Sequence, residues 1–316
     1  MFEALGFFAL GLVLLALGGD SIVKGASGVA QRFGASPFVA GLLLVAFGTS
    51  LPELAVNARA VWAGSQQLAL GNAVGSNVVN IGLTLGIAAL VSPLLVRSRA
   101  IVPLLAWLIG TTLVVIAMGF DGVLARSEGA ILLLGFAGML FFLLKRARNE
   151  PAELQATIAT YATTRADLAM NLLRVAIAIA LLYFGAKFVV QGAPVLGVSM
   201  GLSPLLTGLL PVAIGTALPE IAAAIAAARR GQGDMVAGHV IGSSLFNLLV
   251  VLGGMAMFRD LPVPASFVRF ELPAALAFAL VLYPMLRSEL QVSKREGGVL
   301  VIAFLGWLVF QMYTVR

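Results

Sequence analysis

Polar residues are scarce along this chain, and they fall in clusters between long apolar runs. Ten runs are each long enough to cross a bilayer, which takes about 20 mainly apolar residues in a helix. They cover approximately 4–26, 37–61, 68–92, 101–119, 128–144, 167–190, 204–228, 235–257, 268–286 and 298–314. The runs are continuous and do not alternate with a period of two, so the pattern predicts helices and not the strands of an outer-membrane barrel. The first run lacks a basic leading region and a small-residue cleavage site, so it is expected to be retained as a span. The fold class expected is therefore all-α and integral to the membrane, with ten transmembrane helices.

The polar clusters repeat. Aligning Gly34–Gly86 with Gly201–Gly253 at a constant offset of 167, without a gap, gives 22 identities in 53 positions. Chance matching in so biased a composition would give roughly five, so the repeat is real. Gly48-Thr49-Ser50-Leu51-Pro52-Glu53 aligns with Gly215-Thr216-Ala217-Leu218-Pro219-Glu220. Gly71, Gly75, Ser76 and Asn80 align with Gly238, Gly242, Ser243 and Asn247. Each copy holds five spans. Five is odd, so the second copy enters the membrane from the opposite face, giving two inverted repeats whose shared site is expected near the midplane. The domains expected are 1–144 for the first five-helix repeat, 145–166 for a linker and 167–316 for the second repeat. A duplication kept for packing alone fits less well, because the matched residues are mostly polar, Gly or Pro.

Glu53 and Glu220 are the acids of these matched motifs, and each lies inside a span. A charged side chain at that depth costs about 2.5–3.5 kcal/mol on insertion scales. Arg59 is the nearest basic residue to Glu53, but its equivalent in the second repeat is Ala226. A bound cation is the more economical partner. The Pro within each motif removes a backbone donor and clashes with the preceding turn. Broken helices are thus expected at the midplane, with carbonyl oxygens freed near Ala46, Thr49, Ala213 and Thr216. Carboxylate and carbonyl oxygens are what hard cations bind, and calcium takes six to eight of them. Ser76 and Asn80, like Ser243 and Asn247, are four apart and share a helix face. Any one of them alone would pass for an interhelical hydrogen bond; paired by the repeat and set beside a Glu, they read as ligands.

These motifs resemble the two alpha-repeats of the calcium/cation antiporter superfamily, and most closely its bacterial and archaeal sodium/calcium exchanger branch. The proton/calcium branch carries a different motif, Gly-Asn-Ala-x-Glu, which this chain lacks. The resemblance implies that Glu53 and Glu220 are the shared calcium carboxylates, with Thr49 and Thr216 adding oxygens. It implies flanking sodium sites lined by the carbonyls of Ala46 and Ala213 with Ser76, Ser243, Ser50 and Ser244, and a centre held by Asn80 and Asn247. There are two departures: Ala217 stands at a motif Ser, and Asn247 at a position where the best-known archaeal pattern has Asp. Both bear on how many sodium ions move. The function expected is secondary active exchange of Ca2+ for Na+ by alternating access, serving calcium extrusion and homeostasis. The alternatives are a proton-coupled cation antiporter and, from another class, a cation channel. An intramembrane hydrolase would need a substrate cleft that the motifs do not supply.

Composition narrows the field further. The chain is 60% hydrophobic and 11% charged, with a mean hydropathy of +1.04. That excludes an ordinary soluble domain. The formal charge of +6 does not imply nucleic acid; in membrane proteins the excess sits in cytoplasmic loops. With the N-terminus outside, twelve Lys and Arg fall in the inner loops against four in the outer segments. Both termini are therefore expected outside, in a multi-pass protein of the inner or plasma membrane. The absence of cysteine removes disulfides and thiolate sites. No phosphate-binding Walker loop occurs, and no cofactor is expected. The partners expected are calcium and sodium ions and the lipid bilayer, with no nucleic acid and no obligatory protein partner. His239 is expected near the cytoplasmic membrane face. Asp20 and Lys24 are expected to form a helical ion pair.

Overall fold

The computed structural model describes residues 1–33, 40, 41, 43, 44, 47–147, 150, 152–162, 167–288 and 290–314. Its helices in chain order are α1 (Phe2–Arg32), α2 (Leu51–Trp62), α3 (Gln66–Val91), α4 (Ile101–Met118), α5 (Arg126–Ala147) and α6 (Ala152–Ala162). They continue with α7 (Leu168–Ser199), α8 (Pro204–Arg229), α9 (Gly233–Phe258), α10 (Phe267–Arg287) and α11 (Lys294–Thr314). All but α2 and α6 are long and apolar enough to cross a bilayer, which makes nine among the described residues. Helix α2 is the described end of the span expected over 37–61; part of that span lies outside the described residues. With it the spans number ten, arranged as two sets of five. Helix α6 lies in the linker.

An inverted repeat should carry a two-fold axis in the membrane plane, and the contacts obey one. Gly25 of α1 meets Asn171 of α7, and Gly192 of α7 meets Ala4 of α1. Adding 167 to 25 and to 4 gives 192 and 171, so each contact is the image of the other. A Cβ at Gly25 would lie 2.9 Å from the Asn171 carbonyl oxygen, and one at Gly192 2.5 Å from that of Ala4. Small residues thus let α1 and α7 run antiparallel at close range, as packing without a hydrophobic driving force requires. The short strands follow the same rule. Leu94–Leu95 pairs with Gln291–Val292, and Val123–Leu124 with Leu261–Pro262. Leu261 is the image of Leu94, and Gln291 that of Leu124. The ends of α2 and α8 also match: Gly64 and Gly231 both take positive φ, at 80° and 71°. Behind them Ser65 donates to the Ala60 carbonyl and Gln232 to that of Ala227, closing both helices in the same way.

Burial separates the helices into two classes. Helices α3 and α9 are 78% and 83% covered by protein, while α1, α5, α7 and α11 are covered for only 22–28%. The apolar outer faces of the second group suit lipid. The first group carries Ser76, Asn80, Ser243 and Asn247, so the polar residues sit on the helices best shielded from hydrocarbon. The irregular backbone expected near the motifs takes two forms. In the first repeat a 3-10 turn, Gly48–Ser50, precedes α2, with Pro52 in the first helical turn. In the second a π turn, Gly208–Val212, widens α8, and Pro219 is carried inside the helix beyond it. Further π turns, Val79–Leu85 and Asn247–Leu252, occupy equivalent stretches of α3 and α9. Such bulges collect at functional sites.

Helices α3 and α8 touch through glycine. A Cβ at Gly71 would collide with the Leu205 carbonyl, and one at Gly208 with the Leu68 carbonyl. Gly110 has open space beside it. We therefore expect Gly71→Ala and Gly208→Ala each to destabilise the protein by about 1–3 kcal/mol, the usual cost of overpacking. Thermal unfolding in detergent should show the loss, with Gly110→Ala unchanged.

Candidate functional site

The matched motifs meet at the pseudo-two-fold axis. The turn before α2 and the start of α2 supply Thr49, Ser50 and Glu53, and α3 supplies Ser76 and Asn80. Helix α8 supplies Ala213, Thr216 and Glu220, and α9 supplies Ser243, Ser244 and Asn247. Ala46 lies outside the described residues. The contacts among these groups cross from one repeat to the other. Ser50 donates its hydroxyl to Ser243 Oγ at 2.7 Å, and Asn80 Nδ2 donates to the same oxygen at 3.1 Å. The Thr216 hydroxyl lies beside the Glu53 carboxyl. Thr216 also donates to the Ala213 carbonyl at 3.2 Å. Ser244 differs from the rest. Its hydroxyl donates to the Val240 carbonyl of its own helix at 2.8 Å, and so does not face the other repeat.

The site is dry and rich in oxygen. Glu53 and Glu220 are 2% and 6% exposed, and Ser50, Ser76, Asn80, Ser243 and Asn247 are as deeply buried. Several of their atoms have no hydrogen-bond partner among the described residues: Glu53 Oε2, Glu220 Oε1, Ser76 Oγ, Asn80 Oδ1 and Asn247 Oδ1. All five are oxygens. Buried charge and buried polar groups are costly unless matched. A set of unmatched oxygens around two carboxylates is the donor set of a hard cation. No Lys or Arg neutralises the pair by a salt bridge among the described residues.

Residues that the motifs did not single out also belong here. His239 is buried against the site and not at a membrane face. Its Nδ1 is 2.9 Å from Thr49 Oγ1, and its Nε2 is 3.5 Å from Glu220 Oε2. Burial in α9 one turn before Ser243 places it there, and its repeat position is held by Asn72 in α3. Asn77 lies on the axis itself, because its image is Ser244. It donates to the Ser244 carbonyl at 3.2 Å and accepts from Asn247 Nδ2 at 3.2 Å. Asn57, four residues after Glu53 on the same face of α2, is fully buried with both amide atoms unpartnered among the described residues. An amide so deep in an apolar run was a signal in the sequence; Asn77, one residue after a motif Ser, was also open to it.

Among the described residues, the two sides of the site are packed differently. A cavity of about 380 Å³ opens between α1 and α8 and reaches Thr49, Thr216, Glu220 and His239. Its image would lie between α7 and α2. There the packing is tight: Val56 and Ala60 are fully buried, whereas their images Ala223 and Ala227 face the cavity. Helix α7 packs closely along α2, while α1 stands away from α8. Two symmetric halves thus hold one open and one closed path.

Two inverted five-helix repeats, with acids and distorted helices where they meet, are an architecture common among secondary transporters. The profile of the sodium/calcium exchanger protein family matches the chain twice, over residues 3–145 and 170–313. The inner membrane protein YrbG of Escherichia coli is 35% identical over 98% of this chain and 96% of its own length. The sodium/calcium exchanger MaX1 of Methanosarcina acetivorans is 29% identical over 96% of this chain and 97% of its own. Solved structures of the sodium-calcium exchanger NCX_Mj superpose over 99% of both chains, with a TM-score of 0.67 and 29% identity. The chain belongs to the sodium/calcium exchanger family. It is a multi-pass membrane protein of a family of transporters.

The Asn77–Asn247 bond should be measurable. A double-mutant cycle of Asn77→Ala and Asn247→Ala, read as unfolding free energy in detergent, should give a coupling of about 0.6 kcal/mol and at most about 1.7. Strict additivity would mean that the two amides do not meet.

Proposed function

We propose that the protein is a secondary active antiporter that exchanges Ca2+ for Na+ by alternating access. The observation that carries this reading is the set of buried oxygens without a partner among the described residues, which includes those of both Glu53 and Glu220. Two carboxylates balance one divalent ion, and several monovalent ions can replace it at overlapping positions. In this reading Glu53 and Glu220 hold calcium, with oxygens from Thr49 and Thr216. The Ala46 and Ala213 carbonyls, with Ser76, Ser243, Ser50 and Ser244, line sodium positions, and Asn80 and Asn247 sit at the centre. The cavity between α1 and α8, with its closed image, corresponds to one of the two access states. No cofactor and no protein partner is required for the cycle. The chain divides for this purpose at the linker 145–166 into 1–144 and 167–316.

The excess of basic residues puts the Arg229–Gly233 turn in the cytoplasm and both termini outside, in an inner or plasma membrane. The open cavity then faces inward, as needed to load calcium for extrusion. If three sodium ions enter per calcium, one net charge crosses, worth about 2.3 kcal/mol per 100 mV. The physiological result is calcium homeostasis. His239 beside Glu220 favours one second reading, in which protons replace sodium as the coupling ion.

Purified protein in sodium-loaded liposomes, diluted into sodium-free buffer at constant pH, should take up radiolabelled calcium. Uptake should require internal sodium and survive a proton ionophore; uptake driven by a proton gradient alone would establish the second reading. Glu53→Gln and Glu220→Gln should each reduce uptake to that of empty liposomes while eluting as folded protein, and full exchange in either would refute the shared site.

Orientation has its own test, because the chain has no cysteine. Ala63→Cys and Arg230→Cys, both exposed at opposite ends of the helices, are suitable labels. An impermeant maleimide should modify Ala63→Cys in intact cells and Arg230→Cys only in everted membranes. The reverse pattern would invert the proposed topology.

A further inference from the structure

Asp20 lies near the middle of α1, and it lines the same cavity as Glu220. Its neighbour Gly19 packs on Pro52, the residue before Glu53: a Cβ there would be 3.1 Å from the proline ring. A carboxylate at that depth is expensive unless it serves a path for ions. Asp20 is not hidden, however. Its side chain is 62% exposed, whereas Glu220 is 6% exposed, so Asp20 stands between the mouth and the buried pair. Lys24 contacts it at 2.7 Å, and the Lys24 side chain is itself 57% exposed. An exposed ion pair of this kind is worth about 0–1 kcal/mol, so Lys24 is readily displaced. Much of the cavity wall around Asp20 is apolar, with Leu12, Ala16 and Val23 from α1. Low-dielectric walls concentrate the field of a charge set between them.

The two paths differ here. The image of Asp20 is Lys187, and the image of Lys24 is Gln191. The second repeat therefore has a base at the position where the first has an acid. Of the residues lining the open cavity, Asp20 and Glu220 are the acids, His239 is the imidazole, and none is Lys or Arg.

We propose that Asp20 recruits cations at the mouth between α1 and α8, and that it acts on ions arriving from the Arg229 side alone. Lys24 attenuates it by competing for the same carboxylate. This deepens the antiport reading and rests on it. The pair accelerates loading from one face and leaves the opposite face, with Lys187, without an equivalent.

The test uses the full-length protein in right-side-out and everted membrane vesicles. Labelling of Arg230→Cys establishes which population exposes the Arg229 side. Asp20→Asn should raise the half-saturating calcium concentration at that face by about tenfold at low ionic strength, within the range that charge focusing gives to encounter rates. The effect should shrink as choline chloride is added, because added ions screen an exposed charge. Lys24→Gln should shift the same value in the opposite direction, and Asp20→Glu should behave as the parent. The other face should be unmoved in all three. A purely structural ion pair would shift both variants the same way and without salt dependence. That result, an equal change at both faces, or no change at either would overturn the proposal while calcium exchange itself persists. Absence of sodium-driven calcium uptake in the parent protein would remove the antiport reading and this inference with it.

Discussion

Glu53 and Glu220 are two buried acids where the repeats meet, in conflict with an apolar interior, and neither has a Lys or Arg salt-bridge partner among the described residues. Water would dissolve the conflict, but burial removes water. Buried oxygens and amides of both repeats gather where the pair sits, several of them without a hydrogen-bond partner among the described residues. The helices that carry those groups, α3 and α9, must then be the best shielded from lipid, and they are. The helices that face lipid carry the small residues needed to slide against each other at close range. Burial, helix order and the glycine pattern thus follow from one electrostatic demand.

The second organising fact is symmetry. A single five-helix unit cannot enclose a cation between two equal carboxylates. Two copies related by an axis in the membrane plane bring two such acids together, and many contacts across the axis have an image. Asn77 shows the economy of this arrangement. Lying where the axis passes, it meets both its own image Ser244 and the neighbouring Asn247. Where the halves differ, the differences are chemical and conformational. Ala217 replaces Ser50, so the Ser50–Ser243 bond has no counterpart. His239 replaces Asn72 and brings an imidazole to one side of the site. Asp20 and Lys187 oppose each other in charge.

Conformational asymmetry has a different origin. Nearly equivalent sequences pack tightly on one side, between α7 and α2, and loosely on the other, between α1 and α8. In the proposed antiport cycle, exchanging the two packings between the related halves opens the site to the opposite face. The near-matching of the halves is what makes such a pair of states close in energy, and a ligand with unequal affinity can then shift their populations.

The sequence by itself determined the membrane class, the span count, the inverted repeat and the position of two matched acids. These follow from local composition: hydrocarbon tolerates only internally bonded helices, so every span announces itself in hydropathy. A repeat with an odd number of spans can only be inverted. Irregular backbone before Pro52 was legible as well, though its form, a 3-10 turn, was not. The break expected at Pro219 does not occur: α8 runs as regular α-helix through the second motif, and its π turn lies upstream at Gly208–Val212. Only the tertiary structure decided that His239 lies beside Glu220, that Ser244 turns back to its own helix, and that Asp20 shares a cavity with the site. Each of these depends on how helices meet in space, whether close in sequence as for His239 and Glu220 or distant as for Asp20 and Glu220, or on how a hydroxyl chooses between its own backbone and another partner. Hydropathy and spacing record depth along a helix; they do not record which neighbour a face meets, and that neighbour sets both the chemistry and the access.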